Sequence, residues 1–183
     1  MSVSDNREPL YFDRVDEALD LISRYAPRTL RSLQRRFVGI LVFGDERFRL
    51  AHWRQGAKLC ILTAPYVASS ANRPEDVALT LIHENTHARL AARGIRYREG
   101  RRGRIEVICA EAELAFSRRV PYAGDLIERT QSRLEAWVNA GEEHWSNKKK
   151  RAALLDYLQE TGTPGWLMGL LRRASELFAR RAT

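Results

Sequence analysis

The sequence has few cysteines and no long apolar run, and each shortage excludes a class of protein. Two cysteines, Cys60 and Cys109, are too few for the disulfide framework of a small secreted domain. Residues 1–8 are polar and lack the apolar segment of a secretory signal. The longest apolar run, residues 37–43, has the length of a strand and not of a membrane span. We therefore expect a cytoplasmic protein without a transmembrane segment.

The length of 183 residues fits one domain, and a hydrophobic fraction of 44% is enough to build a core. No internal repeat or low-complexity stretch divides the chain. We therefore predict a single domain over residues 1–183, with a loose terminus at residues 1–9 and C-terminal helices over residues 121–183. The oligomeric state does not follow from the sequence.

The formal net charge of +8 permits binding to nucleic acid or to an anionic surface. The strongest local support is the Lys-Lys-Lys-Arg run at residues 148–151, together with arginines beside the apolar face of a final helix. However, most basic residues are arginines spread through every segment, and solvated helix faces produce the same pattern. These partners are therefore an alternative and not the favoured interpretation.

Apolar periodicity divides the chain into helices and one small sheet. Helices are predicted over residues 10–25, 29–36, 74–93, 104–120, 125–145, 148–160 and from residue 164 onward. Strand-like runs occupy residues 37–43, 47–54 and 58–63, and their short connections predict an antiparallel meander. The predicted fold class is α+β, with a small antiparallel sheet packed on a helical core and an additional C-terminal helical part.

Residues 80–89 contain the motif His-Glu-x-x-His, around which the rest of the chain is organised. Pro74 suits a first helical turn, so the motif is predicted to lie inside a helix. His83 and His87 are then one turn apart on one face, where two imidazoles can bind one metal ion. Glu84 stands beside the first histidine, where its carboxylate can take a proton from a metal-bound water.

A catalytic zinc site usually has three protein ligands and one open position, so the motif needs a third ligand. A histidine six residues after His87 would complete one known pattern, but that position is Arg93. The next predicted helix offers Glu106, Glu111 and Glu113, with Cys109 among them. Two further histidines, at positions 52 and 144, have no spacing that recommends them.

These residues resemble the gluzincin-type zincin metallopeptidases over residues 74–120. The resemblance implies that Zn²⁺ is bound by His83, His87 and Glu106, and that Glu84 is the general base in peptide-bond hydrolysis. It also implies that an edge strand before the motif helix holds an extended peptide substrate. Glu113, on the same helix face as Glu106, is the alternative third ligand or a carboxylate that orients a histidine.

Two positions depart from the usual pattern of that family. Position 89 is Arg instead of an apolar residue, and position 110 is Ala where many members have a histidine-orienting acid. Tyr97, His144 or an arginine of the loop at residues 95–103 are candidates to stabilise the oxyanion. A zinc-binding regulatory or binding module without catalytic activity is therefore the alternative function.

Overall fold

Helices and one small sheet build an α+β fold in the computed structural model, which describes residues 8–44, 51–121, 123–160 and 162–180. The described helices are α1 (Glu8–Tyr25), α2 (Pro27–Arg36), α3 (Ala64–Ala68), α4 (Pro74–Ala92), α5 (Arg102–Ser117), α6 (Gly124–His144), α7 (Asn147–Glu160) and α8 (Gly165–Arg180). The described strands are β1 (Gly39–Phe43), β2 (Ala51–Arg54) and β3 (Leu59–Thr63). The predicted α+β class is confirmed.

Three predicted segments fall partly outside the described residues, one of them the C-terminal helical part over residues 121–183, of which residues 122, 161 and 181–183 lie outside. The loose terminus was predicted over residues 1–9, of which residues 1–7 lie outside the described part, whereas α1 already begins at Glu8. The second strand was predicted over residues 47–54, of which residues 47–50 lie outside it.

The sheet is mixed, so the predicted antiparallel meander is wrong. The strand order is β1-β3-β2, with β3 in the centre. β1 pairs with β3 in parallel, and β2 pairs with β3 antiparallel. An apolar run predicts a strand but does not specify its neighbours, and here the most buried strand takes the central place between the other two.

Helix α4, which carries the motif, begins and ends where local signals predicted. Pro74 occupies the first turn. Past the C-terminal end, Gly94 adopts a positive φ of 78°, and its N–H donates to the carbonyl of Ala91 at 2.9 Å. The N–H of Ile95 donates to the carbonyl of Leu90 at 3.0 Å. This pair of bonds is a Schellman motif, which ends the helix and turns the chain into the arginine-rich loop.

Helix α4 packs against α1, α2, α5 and β2, so it is buried on most sides. Val77 and Leu81 are fully buried and join the core with Ile22 of α1 and Leu62 of β3. Glu84, Asn85 and Thr86 are also buried on this helix. Burial of a carboxylate is costly unless it has partners, so its surroundings are informative about function.

The C-terminal helices extend the helical part. Helix α6 packs on α5, and its helical geometry is interrupted at Gly141, where φ is 62°. Helices α7 and α8 pack against each other. The apolar face predicted for the last helix is exposed at Trp166 and Leu170, and the buried Met168 lies outside that face. None of the described helices combines the length and the apolar character needed to span a bilayer.

Candidate metal centre

Three of the predicted site residues meet where α4 packs on α5. The Nε2 atoms of His83 and His87 lie 3.0 Å apart. Glu106 comes from the first half of α5, and its Oε2 lies 3.2 Å from Nε2 of His83. The other oxygen, Oε1, lies 3.7 Å from Nε2 of His87. Two imidazole nitrogens and one carboxylate therefore point at the same small volume.

These distances fit the ligand set of a zinc ion. Zinc bonds to nitrogen and oxygen are about 2.0–2.2 Å long, so two ligand atoms of a tetrahedral site lie about 3.3–3.6 Å apart. The separations of 3.0 Å between the two imidazole nitrogens and 3.2 Å between His83 and Glu106 are near that range, and the 3.7 Å separation from His87 is to the other oxygen of Glu106. Imidazole and carboxylate are donor types that zinc accepts. The donor set is therefore compatible with a zinc ion.

Glu113 contacts the other ring nitrogen of the first histidine. Its Oε1 lies 2.6 Å from Nδ1 of His83. Its Oε2 forms an ion pair with Arg133 of α6. A carboxylate that accepts a hydrogen bond from Nδ1 leaves Nε2 free to bind a metal and fixes the orientation of the ring. Glu113 therefore occupies the place of the orienting acid that Ala110 does not supply.

Cys109 also lies near the two histidines, because one ligand atom from each of His83, His87 and Cys109 lies within 4.8 Å of the others. Burial, reinforced by nearby carboxylates, raises the pKa of the Cys109 thiol in the metal-free protein, so a metal bound there would have to displace its proton. Glu111 is exposed and lines a different groove, and the ring of His144 lies against Trp145.

The carboxylate of Glu84 is buried and held by the sheet. The backbone N–H of Trp53 in β2 donates to its Oε2 at 2.7 Å. Burial raises the pKa of Glu84 above its ordinary value. Burial that raises the pKa of a carboxylate is one way in which enzymes prepare a general base. This contact is not predictable from the sequence, because almost every residue carries a backbone N–H that could make it.

Tyr97, in the loop between α4 and α5, contacts two of the clustered residues. Its hydroxyl donates to Oε1 of Glu106 at 2.5 Å. Its ring meets the ring of His87 edge-on, with centroids 5.4 Å apart. Of the candidates for oxyanion stabilisation, Tyr97 lies in the cleft beside the histidines.

The two histidines have opposite pKa shifts. Burial lowers the pKa of His83, but hydrogen bonds to Glu106 and Glu113 outweigh that effect and raise the pKa to about 10. Burial and the positive charge of His83 lower the pKa of His87 to about 4. Burial alone would raise the pKa of Glu106, but the bonds to His83 and Tyr97 lower it. In the metal-free protein at neutral pH, His83 is therefore cationic and His87 neutral.

A cleft of about 320 Å³ opens onto the cluster. Strand β2 lines it with residues 51–53, and α4 lines it with both histidines, Glu84 and the turn that follows. Leu90, Ala91 and Ile105 add an apolar part. Half of the twelve lining residues are polar or titratable, and polar groups that converge on an apolar-walled cleft are typical of a substrate site.

Comparison of the chain with models of known protein families, with curated proteins and with solved structures gave no match.

Proposed function

We propose that this protein is a zinc-dependent metallopeptidase. The observation that carries the proposal is the meeting of His83, His87 and Glu106 within 3.0–3.7 Å, beside the buried Glu84 and at the base of a cleft. The three residues are assigned as zinc ligands and Glu84 as the general base. Glu113 is assigned as the acid that orients His83.

In the proposed reaction, the zinc ion and the side chains of the protein have separate roles. Zinc bound by these residues supplies a Lewis acid and lowers the pKa of a bound water to about 7. Glu84 accepts a proton from the attacking water and later gives it to the leaving amine. The N–H of Trp53 keeps the carboxylate of Glu84 in one orientation during both transfers. Tyr97 donates its one hydroxyl proton to Glu106 and so holds that carboxylate in place.

The position of β2 supports a peptide as the substrate. β2 lies at an edge of the described sheet, and it lines the cleft. The N–H of Trp53 points to Glu84 and not to β3, so this edge of the strand faces the site. An extended peptide can pair with the other main-chain groups of such an edge, since Glu84 already accepts the Trp53 N–H. That pairing would bring a peptide bond alongside Glu84.

The test is a Glu84→Gln variant compared with the unchanged protein. The glutamine amide keeps the size of the side chain but cannot accept a proton, so hydrolysis of a broad peptide library is expected to fall about 10²- to 10⁴-fold. Zinc content is expected to stay near one equivalent. Glu111→Gln, the same change at an exposed position of α5, is the matched control and should alter neither property.

Two outcomes contradict the proposal. Unchanged hydrolysis in Glu84→Gln removes Glu84 from the mechanism. Zinc at one equivalent without turnover of any library peptide by the unchanged protein would instead identify a catalytically silent zinc-binding module.

A further inference from the structure

Three exposed arginines stand beside the cleft, next in sequence to residues that line it, although they are not lining residues themselves. On the wall formed by β2, Arg54 stands between Trp53 and Gln55, which both line the cleft. On the wall formed by the loop after α4, Arg96 stands between two lining residues, Ile95 and Tyr97, and Arg98 follows directly. The three arginines are exposed. Arg54, Arg96 and Arg98 are called the basic rim below.

Little exposed negative charge lies around the basic rim, since Glu106 and Glu113 of the cluster are buried and bonded to His83. Glu84 is the one acidic residue among the described residues that line the cleft, and its carboxylate is engaged by an N–H. Residues 93–104 contain six arginines and one glutamate, a net charge of +5. That glutamate, Glu99, accepts hydrogen bonds from Asn147 at the start of α7. The ion pairs found among the described residues leave the three rim arginines out.

We propose that the basic rim selects acidic peptides, with Asp or Glu near the bond to be cleaved; this inference rests on the peptidase function proposed above. Guanidinium groups beside two of the segments that line one cleft attract carboxylates on a peptide bound in that cleft. Each exposed pair is weak by itself, so selection comes from several pairs acting together. The attraction acts over about 8 Å at physiological ionic strength, which reaches residues flanking the cleaved bond.

The shape of the cleft favours a peptide over a nucleic acid as the anionic partner. Its volume of about 320 Å³ suits a few amino-acid side chains, and part of its wall is apolar through Leu90, Ala91 and Ile105. Single-stranded nucleic acid is instead held by long basic grooves with successive aromatic side chains for stacking. An edge strand beside the site offers main-chain pairing to a peptide.

The experiment compares two fluorogenic peptides that share one central sequence but carry either glutamates or lysines on both flanks. At low salt the acidic peptide is expected to have a kcat/KM about tenfold higher, and the ratio should approach one as salt rises. The double variant Arg96→Gln, Arg98→Gln should lose most of the preference. The control is the double variant Arg118→Gln, Arg119→Gln, which removes the same charge from two exposed arginines after α5. This variant should keep the preference for the acidic peptide.

Binding is measured separately from turnover, by fluorescence anisotropy of the same peptides with the Glu84→Gln protein. The inference is supported if the acidic peptide binds more tightly, if salt weakens that binding, and if only the rim double variant loses it. This holds even if no peptide is hydrolysed. Absence of hydrolysis would overturn the peptidase function alone. Equal binding and equal hydrolysis of both peptides overturn the rim inference and leave the peptidase function standing. The rim inference would also be overturned if an oligonucleotide bound more tightly than the acidic peptide and that binding depended on the rim arginines.

Discussion

His83 is the residue on which most contacts of the site converge. Its Nε2 faces His87 and Glu106, and its Nδ1 faces Glu113. With a pKa raised to about 10, His83 is a cationic imidazolium at neutral pH in the metal-free protein. With a pKa lowered to about 4, His87 is a neutral imidazole at the same pH. A metal ion must therefore displace one proton from the pair, because only neutral imidazole binds a metal.

Zinc binding at pH 6 is expected to release about one proton per protein. At that pH His83 is protonated and His87 is neutral, since 6 lies between their pKa values of about 10 and about 4. A zinc-bound water, with a pKa of about 7, contributes little there. Calorimetric titration in buffers of different ionisation enthalpy measures the number released. A value near zero or near two would contradict the assigned protonation states.

For the residues of the site, the sequence predicts which side chains come together but not which of their atoms make contact. The spacing of His83, Glu84 and His87 on one helix follows from the helical repeat. The choice of Nδ1 for Glu113 and Nε2 for Glu106 depends on how α5 lies on α4, which no local pattern encodes. The amide of Trp53 that holds Glu84 depends on strand pairing, and any residue other than proline could have supplied that N–H.

The last turn of α4 offers a test of the cleft as the substrate site. Ala91 lines the cleft, whereas its neighbour Ala92 is exposed and does not. A phenylalanine at position 91 would fill the apolar part beside Leu90 and Ile105, so Ala91→Phe is expected to reduce peptide hydrolysis by about tenfold or more, with zinc content unchanged. Ala92→Phe carries the same small cost in helix propensity and is the control. Equal activity in both variants would place substrate binding elsewhere.

Helices were predicted more closely than the sheet because their signals are local. α4 was predicted over residues 74–93 and runs from Pro74 to Ala92, since a proline marks its start and a glycine its end. The three strands were located, but their pairing was not. Each apolar run is compatible with either direction, and the parallel contact of β1 with β3 joins segments separated by β2.

For the molecule as a whole, the proposed zinc ion would join α4 to α5. A ligand that binds only the folded state stabilises it by about 2.7 kcal/mol at a free concentration one hundred times its Kd. For a chain of this size that corresponds to a Tm about 5–10 °C higher. Thermal unfolding with zinc and with a chelator measures the difference. Glu106→Ala should show a much smaller increase, and a Tm that chelation leaves unchanged would contradict a zinc link between the helices.

The most direct measurement of the central claim is the zinc content of the purified protein, of Glu106→Ala and of Glu113→Ala. We expect about one zinc per unchanged protein. Glu106→Ala should lose it, because a ligand is gone, whereas Glu113→Ala should keep the site with an affinity about 10- to 100-fold weaker. Absence of zinc from the unchanged protein, or its loss from Glu113→Ala while Glu106→Ala retains it, would contradict the assigned site.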